Sequence, residues 1–185
     1  MIKRISMLLA QKIVLENIEK DNEDIYAYGL EIIINSLISI ISVLAIGILQ
    51  HNFWYTVIYL TTYCSIRLYA GGYHAKNNFY CILIFVLAYM CSPIWNVLYC
   101  KFVTALITLC IINLVVISWA PVDSLQNPSL DSERLLLKKK AIGLTVIVSV
   151  LILCNVILRF SSHISGASAA LTYIGIVVAV GKLKD

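Results

Sequence analysis

Six apolar runs, separated by short polar breaks, constrain this chain more than any other feature. They are Tyr26–Leu49, Phe53–Ile66, Phe79–Tyr99, Phe102–Ala120, Ala141–Leu158 and Ser168–Val180. A membrane-spanning helix needs about 20 mostly apolar residues. Hydrophobic residues make up 61% of the chain and charged residues 13%, and the mean hydropathy is +0.90. A soluble domain holds about 45–50% apolar and about 25% charged residues. The 185 residues therefore predict one all-α integral membrane domain over 1–185, a bundle of about six transmembrane helices. The second and sixth runs are short. The second extends as far as Ala70 and the sixth back to Ile164; the alternative is four spans plus two short or re-entrant segments.

Local signals refine this outline. Residues 1–24 begin with Lys3 and Arg4, but Gln11, Lys12, Glu16 and Glu19 interrupt their apolar residues. That pattern does not fit a cleavable signal. Ile2, Ile5, Leu8, Leu9, Ile13 and Leu15 fall near helical spacing, predicting an amphipathic helix at the membrane surface or an ordinary lead-in helix. Gly71-Gly72 ends the second run, because glycine is costly inside a helix. Pro93 bends the third. Residues 121–140 form the longest polar connection and are expected to be a cytoplasmic loop.

Charge orients the bundle. With six spans and the N-terminus inside, the inner side carries Lys3, Arg4, Lys12, Lys20, Arg67, Lys76, Arg134, Lys138, Lys139, Lys140, Lys182 and Lys184. The outer side carries Lys101 and Arg159. Cytoplasmic loops are enriched in Lys and Arg. The predicted location is thus a cell membrane, multi-pass, with both termini and residues 67–81 on the cytoplasmic side. The basic residues are dispersed and form no nucleic-acid motif.

Chemistry concentrates in residues 67–81, Arg-Leu-Tyr-Ala-Gly-Gly-Tyr-His-Ala-Lys-Asn-Asn-Phe-Tyr-Cys. His74 offers an imidazole and Cys81 a thiol. The other cysteines, Cys64, Cys91, Cys100, Cys110 and Cys154, mostly lie in or beside apolar runs, where cysteine acts as a small hydrophobe. No Cys-x-x-Cys pair suggests zinc or dithiol chemistry. The thiolate is the reactive form of cysteine, and a neighbouring imidazole favours it. The same imidazole can protonate a leaving amine, which gives acyl transfer through a thioester. Seven residues of straight helix rise about 10.5 Å, too far for a hydrogen bond. The chain must therefore turn between His74 and Cys81, and Asn77-Asn78 suits a turn or helix cap. Taken singly, an interfacial His is more often a headgroup contact and a Cys at a helix start is usually inert.

The segment resembles the motif of the accessory gene regulator protein B (AgrB) family, the membrane peptidases of Gram-positive quorum sensing. That pattern is Arg, three residues, Gly-Gly, one residue, His, then Cys seven further on. Arg67, Gly71, Gly72, His74 and Cys81 match it without departure. Ala120-Pro121-Val122-Asp123, followed by Asn127-Pro128, is similar to the family's Ala-Pro-x-Asp loop. The resemblance implies a cysteine endopeptidase and peptide cyclase with Cys81 as nucleophile and His74 as base. Its substrate would be a propeptide of the accessory gene regulator D type. The peptide would lose its C-terminal part, and an internal Cys or Ser would then close a thiolactone or lactone autoinducing peptide. The resemblance also implies a homodimer. This chemistry calls for no cofactor and no metal.

The remaining polar residues carry two readings each. Arg67 binds a carboxylate or anchors a lipid headgroup. Gly71 and Gly72 serve backbone geometry or close approach of substrate. Glu31, ionisable within the first run, is a functional candidate that pairs with Arg67 or His74, or snorkels to the edge. Asp123 orients His74 or caps its loop. Asn35 and Asn113 are expected to bridge helices, and His51 and His163 to lie at the outer interface. Lys138-Lys139-Lys140 anchors the topology on anionic lipid or attracts an acidic peptide tail. Rival functions are a small transporter using Glu31, Arg67 and His74, or a non-catalytic membrane scaffold. Either leaves the spacing from Gly-Gly to Cys81 unexplained.

Overall fold

A computed structural model describes residues 2–16, 23–73, 77–122, 131–159 and 161–184. The described residues are almost entirely helical: α1 (Ile2–Glu16), α2 (Glu23–Leu49), α3 (Phe53–Ala70), α4 (Asn78–Met90), α5 (Ser92–Asn96), α6 (Phe102–Trp119), α7 (Asp131–Leu158) and α8 (Ser165–Lys184). Short 3-10 turns follow α5 at Val97–Tyr99 and precede α8 at Ser162–Ile164.

Among the described residues, four helical stretches are long and apolar enough to span a bilayer: Tyr26–Leu49, Phe102–Trp119, Glu133–Leu158 and Ser162–Lys184. The chain is a multi-pass membrane protein. A fifth span is available if α4 and the residues through Tyr99 count as one bent crossing, broken by 47°. Pro93 lies in the first turn of α5, so the bend falls where its ring interrupts the helix.

The two runs read as short resolve differently. The sixth is a full-length candidate, and it is the hub of the bundle. Buried residues make up 72% of its apolar window, against 17–22% in the other three spans. It packs on α3, α5, α6 and α7. Its small residues, among them Gly166, Ala167, Ser168, Ala169 and Ala170, are all buried and admit neighbouring backbones closely. The second run, α3, is 18 residues long but falls outside the four apolar spans. Several of its polar groups are paired with neighbours, although the Tyr59 hydroxyl is buried without a partner among the described residues. Thr56 bonds with Tyr89 at 2.6 Å, and the Tyr55 hydroxyl donates to Ser92 at 2.7 Å. Internal pairing lets a helix of lower hydropathy sit inside a bundle.

Two boundaries depart from the sequence reading. Helix α7 reaches back to Asp131, so part of the expected 121–140 loop is helix. Charged residues at the head of an amphipathic helix do not end it when its later turns are packed. The N-terminal helix ends at Glu16, and α2 begins at Glu23. Helix α1 packs on α2 with Ser6 and Ala10 buried, while Ile5, Leu8 and Leu9 are exposed. Its packed stripe is therefore the small-residue one. The outward Leu and Ile residues of α2, α6 and α7 form the apolar perimeter expected in lipid.

Asn113 bridges α6 and α7 as anticipated, donating to Ser149 Oγ at 2.9 Å. The Asn35 Oδ1 is buried without a hydrogen-bond partner.

Candidate functional site

Helix α3 stops at Ala70 because Gly71 and Gly72 take φ of 63° and 125°, values that L side chains rarely adopt. A Cβ on Gly71 would stand 2.1 Å from the Val122 carbonyl oxygen. The chain therefore runs flat against the segment after α6, where Gly71 and Val122 form an isolated parallel bridge. The Ala120–Pro121 bond in that segment is cis.

Non-helical backbone at the end of a membrane bundle must find partners for every polar group. Residues 70–73 do so. The Gly71 N–H donates to Arg67 O at 3.1 Å, Gly72 N–H to Val122 O at 3.3 Å and Tyr73 N–H to Val177 O at 3.1 Å. The Ala70 carbonyl accepts from Val122 N–H at 3.0 Å. The three remaining carbonyls all belong to Arg67. Its Nη1 donates to Gly71 O, and its Nη2 to Gly72 O at 3.1 Å and Tyr73 O at 2.8 Å. Arginine's planar fork suits this triple capture. Of the sequence readings for Arg67, carboxylate or headgroup binding, neither describes these contacts; the guanidinium is a brace for its own loop. Gly181 on α8 completes the seat, since a Cβ there would lie 2.7 Å from the Tyr73 nitrogen.

Cys81 sits in the first turns of α4. Asn77 caps that helix through its side-chain oxygen, which accepts from Phe79 N–H at 3.1 Å. The Cys81 N–H donates to Asn77 O at 3.1 Å. Asn77 thus supplies the helix cap expected from the sequence, while the path from residue 74 to residue 76 lies outside the described residues. Asn78 Nδ2 donates to Glu31 Oε1 at 2.6 Å, tying the start of α4 to α2. Glu31 is therefore held by Asn78, rather than by Arg67 as one sequence reading had it. Cys81 is half-buried, whereas Cys64, Cys91, Cys100, Cys110 and Cys154 are exposed.

His74 and Asp123 lie outside the described residues, so the expected imidazole–thiol contact and the role of Asp123 have no geometry. His74 directly follows the pinned Tyr73. His51 and His163 are described; they occupy the α2–α3 and α7–α8 connections, at the opposite end of the bundle from Cys81. Lys138, Lys139 and Lys140 lie on α7, and Lys140 Nζ stands 5.3 Å from the Tyr69 ring centroid. Lys184 Nζ stands 4.2 Å from that of Tyr73. Cations thus ring the end that holds Cys81.

Sequence reasoning missed the backbone braces Val122, Val177 and Gly181, the tie from Glu31 to Asn78, and a ring cluster below Cys81. Backbone contacts between distant segments leave no side-chain pattern. The cluster did leave one: Tyr63 and Arg67, and Cys81 and Phe85, are four residues apart and share helix faces.

The family model described as "Accessory gene regulator B" matches residues 2–180. An AgrB-like protein of Clostridium perfringens is 29% identical over 172 residues, covering 88% of this chain and 80% of the relative. The accessory gene regulator protein B of Staphylococcus saprophyticus is 34% identical over 122 residues, 64% of each chain. That of Staphylococcus aureus, strain bovine RF122, is 29% identical over 133 residues, 71% of this chain and 70% of the relative. No solved structure matches.

Proposed function

This chain belongs to the accessory gene regulator B family, which ties it to accessory gene regulator quorum sensing, and from that premise we propose that it is a membrane cysteine endopeptidase and peptide cyclase. Cys81 is the nucleophile and His74 the base. The substrate is a propeptide of the accessory gene regulator D type.

One observation carries the reading: a half-buried thiol sits at the capped start of α4, a few residues after a turn whose backbone groups are committed. The residue that follows this braced turn in the sequence is His74. The start of a helix also favours an anion such as a thiolate.

In the proposed reaction, His74 takes the Cys81 proton and the sulfur attacks the scissile carbonyl. The C–S bond forms, the C–N bond breaks, and His74 returns the proton to the leaving amine. The N-terminal part of the peptide is then a thioester on Cys81. An internal Cys or Ser displaces the sulfur and closes the ring. Exchange of one thioester for another is nearly balanced, so a water-poor site matters more than an energy source.

Lys138–Lys140, Lys182 and Lys184 belong to the end that holds Cys81, and Lys101 and Arg159 to the other. The positive-inside rule supports a cytoplasmic active site and cytoplasmic termini. Family likeness supports a homodimer.

The test is intact mass spectrometry of the parent protein and Cys81→Ala in lipid, each with the propeptide encoded beside it. The reading expects a cut fragment and an acyl adduct from the parent alone. Equal processing by both proteins removes Cys81 from the mechanism.

A further inference from the structure

Three rings lie one helical turn beneath the candidate site, each from a different helix. Tyr63 is one turn before Arg67 on α3, Phe85 one turn after Cys81 on α4, and Tyr173 one turn before Val177 on α8, whose carbonyl holds Tyr73. Tyr63 and Phe85 have ring centroids 4.6 Å apart. Tyr63 and Tyr173 stack at 5.4 Å and 26°, and Phe85 and Tyr173 stand 6.1 Å apart. The rings form a floor between the thiol and the bilayer interior.

The hydroxyls divide into three groups, and that of Tyr59 is fully buried with no partner among the described residues. Deeper in the bundle, Tyr55 bonds to Ser92, Tyr89 to Thr56 and Tyr99 to Thr172. The Tyr63 and Tyr173 hydroxyls make no hydrogen bond among the described residues, although both side chains are half-buried. Both rings pack on Phe85, at 4.6 Å and 6.1 Å between centroids, and Phe85 lies one helical turn from Cys81 on the same face of α4. Neither is among the fully buried unpaired polar atoms, so both phenols stay open to an arriving group. A polar group that completes its bonding only when substrate arrives is a mark of a preorganised site. Arg67 is already engaged elsewhere, donating three of its N–H groups to the carbonyls of residues 71–73.

We propose that Tyr63 and Tyr173 donate hydrogen bonds to the carbonyl oxygen of the group undergoing acyl transfer on Cys81, with Phe85 completing an apolar floor that keeps water from the thioester. The assignment rests on Cys81 being the nucleophile. As the sulfur attacks, the carbonyl π electrons move onto oxygen, and that oxyanion accepts from the phenols, which keep their protons. Collapse restores the carbonyl and expels the leaving group.

The experiment uses two small probes on protein whose only cysteine is Cys81, in lipid. p-Nitrophenyl acetate acylates a thiol through an oxyanion; iodoacetamide alkylates it without one. Intact mass follows both, for the parent and for Tyr63→Phe, Tyr173→Phe and the double variant. The expected result is acetylation slowed about 10-fold or more in at least the double variant, with alkylation unchanged. Unchanged acetylation in the double variant overturns the proposal. Equal slowing of both reactions also overturns it, because the rings then only shape the site. A separate arm follows propeptide processing by the parent and Cys81→Ala; equal processing there sinks the Cys81 reading itself.

Discussion

The Arg67 guanidinium donates to the Tyr73 carbonyl at 2.8 Å, across the turn that leads directly to His74. The same nitrogen holds Gly72 O. A cation at the end of α3 thus satisfies backbone carbonyls that the helix itself leaves unpaired.

Replacing Arg67 tests that brace. Lysine keeps the charge but not the fork. Each lost charged hydrogen bond is worth about 1.5–3 kcal/mol. Arg67→Lys is expected to remain in the membrane and lose propeptide processing by about 10-fold or more. Processing at the parent rate would show that charge alone suffices there.

Gly71 and Gly181 make steric predictions. Alanine at Gly71 meets Val122 O at a positive φ, and alanine at Gly181 meets the Tyr73 nitrogen. Both variants are expected to lower thermal stability in detergent, Gly71→Ala more, by about 1–3 kcal/mol from backbone strain. A melting temperature equal to the parent's for Gly71→Ala contradicts the close contact with Val122.

Glu31 acts in the structure as a hydrogen-bond acceptor for Asn78. A neutral amide offers the same acceptor. Glu31→Gln is therefore expected to process peptide near the parent rate, and Glu31→Ala several-fold more slowly. Loss of activity in Glu31→Gln as deep as in Glu31→Ala would point to the charge instead.

Five cysteines are exposed on the bundle and one is half-buried. A protein with Cys64, Cys91, Cys100, Cys110 and Cys154 all changed to Ala is expected to keep processing and to form its adduct on Cys81. Loss of the adduct in a folded protein of this kind would implicate a second thiol.

Much of the architecture was legible in the chain. Apolar runs marked the helices, because lipid admits few alternatives for backbone polar groups. Gly71-Gly72 and Pro93 punctuated them as their backbone chemistry requires. The start of α7 at Asp131 was misjudged, since it depends on packing partners rather than on its own composition, whereas α3 runs from Phe53 to Ala70 as the extended second run allowed. The pairings of its Thr56 with Tyr89 and of its Tyr55 with Ser92 left no mark in the sequence.

The sequence by itself determined the membrane class, the Arg67–Cys81 segment and the need for a turn inside it. These follow from local composition and spacing, which act over a few residues. Only the tertiary structure decided what Arg67 grips, that Glu31 holds Asn78, that α8 is the hub, and that Tyr63, Phe85 and Tyr173 lie beneath one thiol. Those relationships join residues up to more than a hundred positions apart. They arise from how helices pack, where shape and unpaired polar groups choose the partner, and no local pattern encodes that choice.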